Sequence, residues 1–154
     1  MKTIFFALFS LFISLSVFAQ PKCEEIQFSK ADQSQIQNPE PLKIVFQLSI
    51  GDTLAHKALM KQIGNITTVE PNTIIEVVCH GPGLDMLRKD KSTVVKKIDE
   101  FSQKGVVFNA CEFSMKERNV TAEQIIPSAK YVKAGIIYIV TKQREGYSYI
   151  KSGF

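Results

Sequence analysis

Ile74–Cys79 is the segment that most restricts the fold. Ile-Ile-Glu-Val-Val-Cys is β-branched and almost continuously apolar. His80-Gly81-Pro82-Gly83 then closes it with residues that continue neither strand nor helix. A strand with one face in water alternates apolar and polar residues. A nearly continuous run is the pattern of a strand covered on both faces, as in a parallel sheet flanked by helices.

The surrounding sequence alternates in the way such a sheet requires. Leu42–Leu48 reads as a first strand, and Gly51-Asp52 as a turn with an N-cap. Thr53–Ile66 reads as a helix with Leu54, Ala55, Ala58, Leu59, Ile63 and Ile66 at helical spacing. His56 falls between these positions and is expected on the solvated face. After the His80–Gly83 loop come a helical turn at Leu84–Arg88 and a helix capped by Ser92 or Thr93. That helix carries Val94, Val95, Ile98 and Phe101 on one face and stops at Gly105. Val106–Ala110 is the third strand and Glu112–Arg118 a short helix stopped by Asn119. Thr121-x-x-Gln124 resembles a capping box. Tyr131-Val132 suits a brief strand and Tyr147–Lys151 a final one. Ala134–Gln143 reads as helix, although its β-branched run would also suit a strand. The expectation is a three-layer α/β/α sandwich around a mostly parallel sheet of about five strands.

Residues 1–19 read as a secretory signal peptide: Lys2, an apolar stretch from Ile4 to Phe18, and a small-x-small site at Val17-Phe18-Ala19. The stretch is short for a bilayer span of about 20 residues. The mature chain is then expected to begin at Gln20 and to be exported, periplasmic or secreted, with no membrane association. Residues 20–41 are polar and proline-punctuated and read as an N-terminal arm, and 42–154 as one domain. The net charge of +4 falls to +3 once Lys2 is removed. So mild a balance does not imply binding to nucleic acid or membranes.

The chemistry is expected at the carboxyl ends of the strands, where ligands gather in open α/β sheets. Three loops should meet there: Ser49–Thr53, His80–Gly83 and Ala110–Glu112. Cys111 stands where a strand passes into a helix. Free N–H groups and the helix dipole favour a thiolate at such a point. His80 is the candidate to assist it with charge or protons. Asp52, Gly81, Gly83 and Glu112 are candidates for substrate contact on the same rim, the glycines also as turn formers. Cys79 reads as core. With a strand order of 2-1-3, it would lie two spacings, about 10 Å, from Cys111, beyond the roughly 7 Å reach of a disulfide. Cys23, in the arm, is an odd third cysteine. The cysteines and histidines have no zinc spacing, the Gly81–Gly83 loop lacks the lysine of a phosphate loop, and no cofactor is expected.

Several pieces in order resemble the DsrE/DsrF-like sulfur-relay family. They are Ile63-Gly64-Asn65, Val77-Val78-Cys79-His80-Gly81-Pro82-Gly83, Phe108-Asn109-Ala110-Cys111, Met115-Lys116-Glu117-Arg118-Asn119, and Glu145-Gly146-Tyr147-Ser148-Tyr149-Ile150-Lys151. The resemblance implies a flavodoxin-like sandwich assembled as a homotrimer or hexamer. It also implies a persulfide carried on Cys111 and exchanged with a thiol or persulfide donor and acceptor. Glu117-Arg118-Asn119 stands where the family commonly has Arg-Arg-Gly, which leaves less positive charge nearby. The well-understood relays are cytoplasmic, so an exported relative needs extracytoplasmic partners. The expected function is therefore exported sulfane-sulfur handling. The alternative is a non-catalytic oligomeric module of the same fold that binds a small ligand or a partner.

Overall fold

The computed structural model describes residues 40–153. The signal peptide, most of the arm and Cys23 lie outside the described residues. Among the described residues, five strands and four α-helices alternate: β1 (Lys43–Leu48), α1 (Thr53–Val69), β2 (Ile74–Cys79), α2 (Val95–Gln103), β3 (Val107–Cys111), α3 (Glu112–Glu117), β4 (Lys130–Val132), α4 (Gly135–Arg144) and β5 (Ser148–Ser152). A 3-10 segment, Gly81–Leu87, follows β2, and a shorter one, Ala122–Gln124, precedes β4. All strand pairs are parallel, in the order β4-β3-β2-β1-β5.

That order explains the layers. The chain steps one strand at a time from β1 to β4, then returns across the whole sheet to place β5 beside β1. Crossovers in such sheets are right-handed. Repeated steps in one direction put their helices on one face, and the return step puts its helix on the other. The first face accordingly holds the large core. Ile44, Phe46, Leu48, Ile75, Val77, Cys79, Phe108 and Ala110 pack there with Leu59 and Ile63 of α1, Ile98 and Phe101 of α2, and Met115 of α3. The second core is small: Val45, Val78, Val132 and Ile139, with Tyr138 and Tyr147 against them. β2 is buried at every position after Ile74 because it serves both cores.

Helix boundaries follow the expected caps with some shifts. Asp52 caps α1, its Oδ1 accepting from Leu54 N at 2.8 Å. The N-cap of α2 is Val94 rather than Ser92 or Thr93, with Ser92 Oγ accepting from Val94 N at 3.4 Å. Asn119 stops the chain after α3 with φ 53°. Gln124 Oε1 accepts from Thr121 N at 2.9 Å, the reciprocal arm of a capping box.

Two expectations for α1 are corrected. Leu54 is exposed. His56 is 1% exposed rather than solvated. Position 56 shares a stripe with Leu59, Met60 and Ile63, and helical geometry turns that stripe toward the sheet. The imidazole Nε2 meets the Ile50 carbonyl at 3.0 Å, while Nδ1 has no hydrogen-bond partner among the described residues.

The glycine loop after β2 is held by contact. A Cβ on Gly83 would lie 2.1 Å from the Leu48 carbonyl oxygen and 2.9 Å from Ser49 N. Only hydrogen at that Cα lets the 3-10 segment pass the end of β1. Both obstacles are backbone, so a side chain would displace the strand end itself. Gly83→Ala should destabilise the protein by about 3 kcal/mol, as overpacking against an immovable partner does. Urea unfolding should record the loss as a lower midpoint.

Candidate functional site

Cys111 is the last residue of β3, and its side chain faces the second core because strand residues alternate. Cys79 is in register with Ala110, so it and Ala110 share the first face while Cys111 lies on the other. The 2-1-3 strand order that separated the two cysteines is thus corrected: β2 and β3 are neighbours. The pleat, not distance across a third strand, keeps the two sulfurs apart. Among the described residues both thiols are free, and burial pushes the Cys79 thiol far above its ordinary pKa.

The helix that serves Cys111 is also not the expected one. Cys111 is the N-cap of α3, yet its side chain makes no capping bond there. α3 leaves toward the first face, where Met115 is buried. The thiol instead accepts a hydrogen bond from Gly135 N, at 3.2 Å. Gly135 is the first residue of the ten-residue α4, whose opening N–H groups have no partner within the helix. A Cβ on Gly135 would meet Val78 Cγ1 at 3.1 Å and the Cβ atoms of Cys111 and His80 at 3.3 Å each. Glycine therefore lets the helix start descend onto the sheet until its N–H reaches the sulfur. Neither Gly135 nor the Val132–Gly135 loop was singled out in the sequence. The signal was present as the small pair Ala134-Gly135 opening a helix.

The topology gives this location a general reason. The connection after β3 departs toward the first face and the one after β4 toward the second. The chain thus leaves the neighbouring carboxyl ends of β3 and β4 toward opposite faces, and the site lies between them. A pocket of about 400 Å³ opens there, lined by Phe113, Tyr131, Lys133, Ile137 and Tyr138 among others. Cys111 itself is 4% exposed.

His80 stands beside Cys111. It follows Cys79, the register partner of Ala110, so the two residues occupy adjacent strand ends at the usual spacing of about 4.8 Å. The ring is half-buried, and burial lowers its pKa below the ordinary 6.5. Gln47 Nε2 donates to His80 Nε2 at 2.7 Å, and the Tyr149 hydroxyl donates to Gln47 Oε1. Gly81, with φ 51°, gives its N–H to Ser114 Oγ at 2.8 Å, tying the loop to α3. Asp52 is engaged in capping α1, Gly83 is packed on β1, and Glu112 is exposed at the start of α3. Arg118 pairs with Asp85 at 3.1 Å and so joins the end of α3 to the 3-10 segment. Among the described residues, no group of three or more His, Cys, Asp or Glu side chains is placed to hold a metal ion.

The seat of α4 depends on Glu76, which the apolar reading of β2 passed over. Glu76 is buried on the second face. It accepts from Tyr138 at 2.6 Å and Asn109 at 3.1 Å and pairs with Lys142 Nζ at 2.9 Å. Tyr138 and Lys142 are four apart, hence on one side of α4. Lys142 also lies 5.3 Å and 5.0 Å from the Tyr138 and Tyr147 ring centroids. Burial alone would raise the Glu76 pKa. The hydrogen bonds from Tyr138 and Lys142 and the lysine charge outweigh it and hold the carboxyl below its ordinary 4.5. Burial and the bond to Glu76 push Tyr138 up to about 12.

A family model described as DsrE/DsrF-like matches residues 42–152. The chain belongs to the DsrE/DsrF-like family. Among solved structures, the chain is similar to a protein of unknown function, MTH1491, from Methanobacterium thermoautotrophicum. The two share 26% identity with a TM-score of 0.68, over 71% of this chain and 98% of that one. No curated protein matches the chain. Membership of the DsrE/DsrF-like family points to sulfur relay as the type of function.

The Glu76 site yields a pH test within this DsrE/DsrF-like domain. A carboxylate with a lowered folded pKa adds stability that is complete above its ordinary value and lost as pH falls through the folded value. Glu76→Gln should cost about 3 kcal/mol at pH 7, the low end for breaking a buried pair, because Lys142 keeps Glu145 at 3.0 Å. The difference from the unchanged protein should shrink below pH 4.5. Urea unfolding at a series of pH values checks both.

Proposed function

We propose that this protein is an exported sulfane-sulfur carrier whose persulfide forms on Cys111. The observation that carries the reading is the Gly135 N–H on the Cys111 sulfur, with His80 alongside. A helix N-terminus supports negative charge on sulfur, and the thiolate is the nucleophile. The Cys111 thiolate attacks the outer sulfur of a donor persulfide, R–S–SH. The Cys111 S–S bond forms, the donor S–S bond breaks, and R–S⁻ leaves. An acceptor thiolate then attacks the outer sulfur of Cys111–S–SH, taking the sulfur with its hydrogen and restoring the Cys111 thiolate. The two steps are thiol exchanges, so no outside oxidant or reductant is consumed. Cys79 takes no part, since its burial keeps it protonated. The leader-like residues 1–19 support export, and an exported carrier meets its donor and acceptor outside the cytoplasm.

Treating the mature form, beginning at Gln20, with hydrogen polysulfide should add about 32 Da per carried sulfur in an intact mass. Cys111→Ser should abolish the gain, and Cys79→Ser and Cys23→Ser should each keep it. A gain that survives Cys111→Ser would falsify the mechanism.

A second reading draws on the low exposure of Cys111 and the apolar pocket beside it. In it the domain binds a small apolar ligand or a partner and Cys111 only lines the crevice. A wild-type protein with reduced Cys111 that gains no sulfur would favour this reading.

Under either reading we infer a homo-oligomer built on α4. Ile136, Ile137 and Val140 expose 52%, 66% and 48% of their surface. That apolar stripe supports a subunit contact. Ile137→Glu should convert the assembly to monomers in sedimentation velocity while leaving the circular dichroism spectrum unchanged. Wild-type protein that sediments as a monomer would discard the contact.

A further inference from the structure

Gln47 sits on the second face of β1, in register with Val78 of β2 on one side and Lys151 of β5 on the other. Both ends of its amide are engaged. The Nε2 group donates to His80 Nε2 at 2.7 Å, and Oε1 accepts from the Tyr149 hydroxyl. An imidazole nitrogen that accepts a hydrogen bond carries no proton, so the neutral His80 ring bears its proton on Nδ1. We propose that Gln47 and Tyr149 are positioning residues that hold His80 as its Nδ1–H tautomer, so that the resting site contains a donor rather than a base. The inference rests on the reading of Cys111 and His80 as the working pair.

The consequence for the transfer is specific. When R–S⁻ leaves the donor persulfide, His80 can stabilise negative sulfur by a hydrogen bond from Nδ1. It cannot give that proton away outright. The ring would become an anion unless Nε2 gained a proton, and the Gln47 amide does not release one. R–S⁻ therefore takes its proton from water. The opposite tautomer requires the Gln47 amide to turn over, so that Oε1 accepts from His80 Nε2–H and the amide N–H donates to the Tyr149 oxygen. That reversal removes the acceptor from the Tyr149 hydroxyl proton. Tyr149 thus biases the amide, and the amide sets the ring. The separation of 33 positions between Gln47 and His80, and of 102 between Gln47 and Tyr149, makes this a tertiary device.

The test is the long-range proton–nitrogen spectrum of the ring in the 15N-labelled mature protein at pH 8. The chain has two histidines, and His80→Gln assigns the signals by leaving those of His56. Wild-type protein should show a protonated Nδ1 and a bare Nε2. Gln47→Glu offers only acceptors and should move the proton to Nε2. Tyr149→Phe, an exposed and milder change, should give a mixture. Sulfur loading in Gln47→Glu should slow on the order of a hundredfold, the low end of what losing one preorganised hydrogen-bond donor to developing charge costs. A wild-type ring protonated on Nε2 overturns the proposal. So does a Gln47→Glu ring that keeps the wild-type tautomer, or a moved proton with an unchanged loading rate. Because the spectrum does not depend on sulfur uptake, a wild-type protein with the expected tautomer but no loading would overturn the persulfide reading alone.

Discussion

Glu76 puts a carboxylate beneath a helix, and the second face of the sheet is arranged around it. That face has little apolar area to hold α4: four buried side chains form its core. The remaining attachment is polar. Tyr138 and Lys142 reach down from α4, Asn109 reaches across from β3, and each ends on the same carboxylate. A buried charge is costly to leave unpaired, so the helix has one register in which all of these groups are satisfied. That register places Gly135 against Val78, His80 and Cys111. The site is therefore a product of the ion pair two turns away as much as of the residues within it.

The fold was largely legible because apolar periodicity and loop residues agree along the chain. The β2 run, the Asp52 cap and the Asn119 stop all mean in the structure what they mean in sequence. The Ile136–Val140 run was ambiguous by composition, since β-branched residues suit strands. It is helical because Tyr138 and Lys142 meet one carboxylate only at helical spacing, and that partner lies 62 and 66 positions away. No local window contains it. His56 failed for a related reason: a polar residue reads as solvated until the carbonyl it bonds, at Ile50, is located.

The expectation that strand ends gather chemistry points to Cys111 and His80, and the register brings those two residues side by side. What surrounds them is not legible in the sequence. The assignment of the supporting helix went wrong because sequence proximity favoured α3. Strand alternation sends the sulfur to the opposite face, where the chain arrives only after β4. Asp52 and Gly83, chosen for lying on the same rim, are occupied by local tasks: one caps α1 and the other passes a carbonyl. Family membership agrees with the architecture, while the Gly135 contact gives the cysteine a physical environment of its own.

The pairing of β5 with β1 also bears on when the site comes into being. Pairing the domain's first strand with its last closes a long loop, an entropically late event in folding. During synthesis, Cys111 and His80 emerge well before Tyr149. A nascent chain can hold the cysteine and the histidine while lacking the hydroxyl that orients Gln47. Its chemistry is completed by the last strand made, and a chain cut short of β5 is a sheet without a finished site.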